Sequence, residues 1–368
     1  MNHRRYDYDV LRVCSMLGVI YLHVAAGGLR SFGYPVLWNF SNVLACISTP
    51  AVPLFFMMSG ALLLGSDRTS DLGYLFQKRI PRVLVPLLTF SLITLLYSVV
   101  RGNPQHALEG LSRLLNTPVL VPYWFLYALI PMYLISPFMR FMVKGMTNRH
   151  WNYLIALWVI SLTLYTIRTF IPYDYILLFT EHWTLNLNFI GGYLGYFLLG
   201  AYLERWETLP PRKLLVGCIV AVLCISILGT RWDVIHQGMY LDRFTNYLTL
   251  FTMILSVCIF LLAKSTLRGK AETGKILPLL AGNSFPVYLI HPLAIGVGER
   301  LWTRIVGTMG PADPLQQIIF FALVALFCIC ASVILSSIPH VCYLFTGQSF
   351  SAACEGSNLQ ALRRQGKA

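Results

Sequence analysis

Charge is what this sequence has least of. Only 12% of its 368 residues are charged, against 57% hydrophobic, and mean hydropathy is +0.65. A soluble domain carries about 25% charged residues, so the chain reads as an integral membrane protein. No polar stretch is long enough to fold as a second, soluble domain. Metal chemistry lacks its ligand set: the nine cysteines lie mainly in apolar runs, and Cys328 and Cys330 are not at zinc spacing. They read as small buried apolar side chains, and no metal site is expected. A defensible lipidation motif is missing too. A cleavable leader is also poorly supported, because Asp7 and Asp9 interrupt the basic start and His23 lies in the apolar run that follows.

Acidic residues are scarce as well, 15 against 28 lysines and arginines, for a net charge of +13. In a soluble protein such an excess would suggest nucleic acid. In a membrane protein it follows from basic residues collecting on the cytoplasmic side, and no nucleic-acid partner is expected.

What the sequence has in abundance is apolar runs of membrane-spanning length. They predict ten helices, near 10–28, 43–65, 80–100, 119–139, 152–171, 185–203, 213–230, 244–263, 278–297 and 315–338. The ninth is interrupted by Pro278, Pro286 and Pro292. Most basic residues fall on one side of these spans if the N-terminus is cytoplasmic. The expected fold is therefore all-α and polytopic, with about ten transmembrane helices and both termini cytoplasmic. One membrane domain covers 1–345, and 346–368 forms a short polar cytoplasmic tail.

Two ionisable residues mark the first run. Arg12 opens it, three residues after Asp9, and His23 sits near its far end. Eleven positions are three helical turns plus ~20°, so both side chains share one face, ~16.5 Å apart along the axis. Such a stripe points to a polar path through protein rather than lipid contact.

Further on, Val52-Pro-Leu-Phe-Phe-Met-Met-Ser-Gly60 combines a proline with Ser59 and Gly60, a pattern suited to close helix packing. Lys78-Arg79-Ile-Pro-Arg82 stands at the entrance to the third helix. It serves either as ordinary positive-inside anchoring or as an anion clamp, since Arg presents a planar fork to phosphate. Tyr123 and Trp124 open the fourth helix, where aromatics commonly form an interfacial belt. Between the fifth and sixth helices, Glu181, His182 and Trp183 have the composition of a glycan site and equally of a solvated rim; Glu181 and His182 are reserve acid–base candidates. In the ninth run, Tyr288 and His291 precede Pro292, where a helix is expected to distort.

Asp9-x-x-Arg12 with His23, Phe55-Phe-x-x-Ser-Gly60 and Arg79-x-x-Arg82 together resemble, in order and spacing, the motifs of the acyltransferase-3 family of membrane enzymes. The Ser284-to-Pro292 phrase and Trp124-Phe-Leu are similar to further family elements. In detail the chain resembles the stand-alone members that O-acetylate bacterial surface polysaccharides, the enterobacterial common antigen among them. The resemblance implies a multi-pass protein of the bacterial inner membrane. It further implies acetyl-CoA, or another acyl-CoA, as donor and a glycan or lipid-linked sugar hydroxyl at the outer face as acceptor.

Histidine is the side chain whose ordinary pKa suits a general base, so His23 is the expected base, with Arg12 and its partner Asp9 completing the catalytic set. Arg79, Arg82 and Lys78 would hold the donor, as the family's Arg-x-x-Arg does. Trp124, Glu181, His182, Trp183, Tyr288 and His291 would line the site. Direct transfer and an acyl-histidine intermediate both remain compatible. The competing readings are a transporter or flippase of a lipid-linked sugar, against which no repeated halves are visible, and a sensor without catalysis.

Overall fold

A computed structural model of the chain describes residues 5–30, 32–171, 192–270, 274–308 and 310–356. Among these the regular structure is helical throughout, and nine helical stretches are long and apolar enough to cross a membrane. The protein is thus an all-α, polytopic membrane protein. The described residues form two compact units. The first comprises 1–11, 25–67 and 138–270, and the second 12–24, 68–137 and 271–368. Helix α1 (Tyr6–Arg30) gives its middle to the second unit and both ends to the first.

The expected second span begins earlier than its apolar run and is broken in two. Helix α2 (Pro35–Ser48) starts on a proline, whose fixed φ suits a first helical position. Helix α3 (Ala51–Leu64) follows Pro50, which cannot donate to the preceding turn. The backbone N–H and the hydroxyl of Thr49 both donate to the Ala45 carbonyl, at 2.8 and 2.9 Å, and close the end of α2.

In the first unit α3 lies against α9 (Tyr193–Glu204) with backbone touching backbone. A Cβ on Gly60 would stand 1.7 Å from the Phe197 carbonyl oxygen, and one on Gly200 would stand 1.9 Å from that of Met57. The close packing expected at Gly60 is what the structure displays, and Gly200 meets it from the other helix. Helices α8 (Asn148–Phe170), α10 (Arg212–Gln237) and α11 (Leu250–Leu267) complete this unit, together with the end of α7 (Trp124–Lys144).

The second unit starts from a short turn α4 (Leu72–Tyr74) and a π-helical turn, Leu75–Arg79, that leads into α5 (Ile80–Val100). A short α6 (Pro104–Ser112) folds back on α5. The beginning of α7, then α12 (Ile276–Val306), α13 (Pro314–Ser337), α14 (Pro339–Thr346) and α15 (Phe350–Gly356) follow. Contrary to expectation, the prolines do not interrupt the ninth span: α12 runs through Pro286 and Pro292 for 31 residues. Two buried serines on α13, Ser332 and Ser336, donate to Asn283 Oδ1 at 3.2 and 2.9 Å and fix α13 against α12. Residues 172–191, which hold most of the expected sixth span's start, lie outside the described residues.

Candidate active site

The second unit gathers most of the expected site. Helix α1 is unbroken between Arg12 and His23, so the two stay on one stripe, ~16.5 Å apart along the axis. The hydroxyl of Tyr21, itself buried, donates to Gln317 Oε1 on α13 at 2.8 Å and holds this part of α1 in place. The His23 ring then faces His291 on α12, with ring centroids 5.2 Å apart and planes inclined by 35°. Two histidines separated by 268 positions thus form one pair, which the sequence did not reveal. The available signal was that both lie in apolar runs where an imidazole has few other partners.

His291 is fully buried. Its Nδ1 bonds to the backbone carbonyl of Tyr288, and its Nε2 is buried without a partner among the described residues. A carbonyl only accepts, so Nδ1 carries the proton and Nε2 presents a lone pair.

The helix that carries His291 is clasped to the start of α7. Tyr123 donates to the Leu289 carbonyl at 2.9 Å, and Tyr288 donates to that of Pro122. Tyr123 is therefore no member of an interfacial belt: it has no exposed surface. Its hydroxyl found a backbone acceptor inside, and burial followed. The Phe125 ring packs edge-on against Tyr288 at 5.8 Å, and the half-buried Trp124 stands beside Phe125.

The basic phrase lies at the junction of the π turn and α5. Arg79 extends over the Tyr74 ring, 5.3 Å from its centroid, and its Nε is buried with no partner among the described residues. Arg82 donates to Gln348 Oε1 at 3.0 Å, and its charge is close enough to those of Arg79 and Arg12 to be repelled by both. Lys78 is exposed. Arg79 and Arg82 thus meet a ring and an amide here, and a guanidinium is a group suited to binding an anion. The π turn that sets Arg79 is of a kind found frequently at functional sites.

Asp9 is buried and belongs to the first unit, while Glu181, His182 and Trp183 lie outside the described residues. Beside His291 on the same helix, Ile290, Leu293 and Ala294 begin an apolar cleft of about 670 Å³ that continues to Leu301, Trp302 and Ile305. Hydrocarbon suits such a lining and a charged donor does not. No cluster suited to a metal ion occurs among the described residues.

The sequence profile of the acyltransferase-3 family, described as an acyltransferase domain, matches residues 5–337. The chain belongs to this family. It is thereby a multi-pass membrane protein of an acyltransferase family, and the matched span reaches into both units and takes in every expected site residue. No curated protein and no solved structure matches the chain.

Proposed function

We propose that this acyltransferase moves an acyl group, acetyl in the first instance, from cytoplasmic acyl-CoA to a hydroxyl of a glycan or lipid-linked sugar at the outer side of a bacterial inner membrane. The observation that carries this reading is the second unit's pairing of an arginine cluster, Arg12, Arg79 and Arg82, with a buried histidine pair reached along α1. Coenzyme A carries phosphates at one end and its thioester at the other. The ~16.5 Å from Arg12 to His23 along the helix is comparable to the reach of an extended pantetheine arm. The phosphates would stay with the arginines, and the thioester would lie at the histidines. Asp9 orients Arg12 in this scheme, and Trp124 and Tyr288 line the path.

The acceptor hydroxyl loses its proton to His23 as its oxygen bonds to the thioester carbonyl carbon. The carbon–sulfur bond then breaks, and the departing thiolate takes the proton from His23 and leaves as free coenzyme A. Holding both reactants on one scaffold lowers the barrier by several kcal/mol, and the base contributes about 10²–10⁴-fold.

The test is transfer of radiolabel from acetyl-CoA into glycan in membrane vesicles of a host that makes the candidate glycan, with wild type and His23→Ala at matched abundance. Labelling by wild type and at least a 100-fold loss in the mutant is expected from removing a general base. Equal labelling by the mutant would remove His23 from the mechanism. No labelling by either, with flux of a lipid-linked sugar in its place, would establish the transporter reading.

A further inference from the structure

We infer that Pro292 fixes His291 in one tautomer, and that His291, so fixed, is the positioning residue that receives the other ring N–H of His23 as His23 takes the acceptor's proton. In an α-helix the carbonyl of residue 288 receives the N–H of residue 292. Residue 292 is proline and has no N–H to give. The donor to the Tyr288 carbonyl is instead Nδ1–H of His291. Donation there leaves Nε2 as the ring's acceptor, and that atom is buried, without a partner among the described residues, in a ring 5.2 Å from the ring of His23.

The surroundings hold this arrangement. Tyr288 and Tyr123 tie the backbone of residues 288 and 289 to that of Pro122 and its neighbour, so the carbonyl that His291 caps cannot drift. The His-Pro dipeptide therefore does more than bend a helix, and α12 in fact continues through it.

The consequence concerns His23, and this step rests on the acyl-transfer reading above. When His23 accepts the hydroxyl proton at one ring nitrogen, it becomes a cation whose other N–H needs an acceptor. Nε2 of His291 supplies it. The proton stays on His23 until the thiolate takes it, so His291 exchanges no net proton in the cycle. Its part parallels that of the residue that orients the base in a hydrolase triad, with a locked imidazole in place of a carboxylate.

Two variants separate the claim from a structural role. Asn at 291 places an amide N–H where Nδ1–H stood and removes Nε2. Ala at 292 restores the backbone donor to Tyr288 and leaves the histidine in place. The full chain, labelled with ¹⁵N-histidine and held in lipid nanodiscs, has eight histidines to observe. In wild type the resonances that vanish in His291→Asn should report a protonated Nδ1 and a bare Nε2, and Pro292→Ala should yield a tautomer mixture. A protonated Nε2 in wild type would overturn the inference whether or not the protein transfers acyl groups.

In the vesicle assay, His291→Asn should lower kcat by about 10²-fold with KM for acyl-CoA within about twofold, the split expected for a group acting on the base. Pro292→Ala should lower kcat by a smaller factor. Wild-type kcat in His291→Asn would overturn the positioning role while the reaction itself stood. Absence of transfer in wild type would instead remove the proposed reaction and leave the tautomer to the spectra.

Discussion

Two polar regions of this protein treat their charges in opposite ways. In the first unit, Arg5 reaches Asp7 at 2.5 Å and Glu204 at 2.6 Å, and Glu204 also accepts from Tyr8 at 2.9 Å and from Arg268. Lys264, only 5% exposed, donates to the carbonyls of Leu203, Glu204 and Trp206 at 2.9, 2.8 and 2.7 Å. Leu203 and Glu204 lie in the last turn of α9 and Trp206 just beyond it, so one ammonium caps this helix end. In the second unit Arg79 and Arg82 meet a ring and an amide, and two buried nitrogens, Nε of Arg79 and Nε2 of His291, have no partner among the described residues. A satisfied cluster fixes structure. Unspent donors and acceptors are what a substrate can complete, because leaving them buried and unmet costs free energy.

The comparison is broken most directly at Lys264. Lys264→Met keeps the stem and removes the donor to three carbonyls. The loss should be roughly 3 kcal/mol, about the penalty for one or two buried acceptors left unmet. A lowered thermal unfolding midpoint in detergent, with KM for acyl-CoA unchanged in the protein that remains folded, is the expected result. An unchanged midpoint would show that water replaces the ammonium, and that this cluster is not the structural one.

The converse change is Arg79→Ala with Arg82→Ala. Both side chains meet neutral groups, so the fold should lose little. Charge-assisted hydrogen bonds to phosphate contribute about 1.5–3 kcal/mol each, so each substitution should raise KM for acyl-CoA roughly 10–100-fold. Titration with 3′-dephospho-coenzyme A thioesters would sharpen the assignment. If one arginine holds the 3′-phosphate, its variant should discriminate less between the two donors than wild type does. A fallen midpoint with unaltered KM would return the pair to membrane anchoring.

How much of this was legible in the sequence depends on distance along the chain. Helix α5 begins and ends where its apolar run does, and α13 lies within one residue of its expected bounds, because hydropathy is a local property. Arg12 and His23 share a stripe because helical periodicity is local too. Pro50 is a local signal for the break at Thr49–Pro50, and the continuous apolar run around it hides that signal. Nothing local linked His23 with His291, or Glu204 with Arg5 across 199 positions, since those pairings depend on how helices pack. Tyr123 was misread for the same reason: an aromatic at a helix end looks interfacial until its hydroxyl is seen to reach the Leu289 carbonyl.

The smallest effect expected is a pH dependence confined to the first unit. Burial alone would push the Glu204 carboxyl up, but the hydrogen bonds and charge of Arg5, with Tyr8 and Arg268, outweigh it and hold the group below its ordinary value of 4.5. A carboxyl depressed in the folded state favours folding at pH values above its unfolded pKa. That contribution declines as pH falls below 4.5 and is lost as pH passes the folded value. The unfolding midpoint should therefore fall with acidification over that window, and Glu204→Gln should flatten the dependence. Only part of the cluster's stability is at stake, because Arg5 keeps Asp7 and Lys264 binds the backbone rather than the carboxylate. If Glu204→Gln left the acid dependence intact, the Glu204 carboxylate would not be its source.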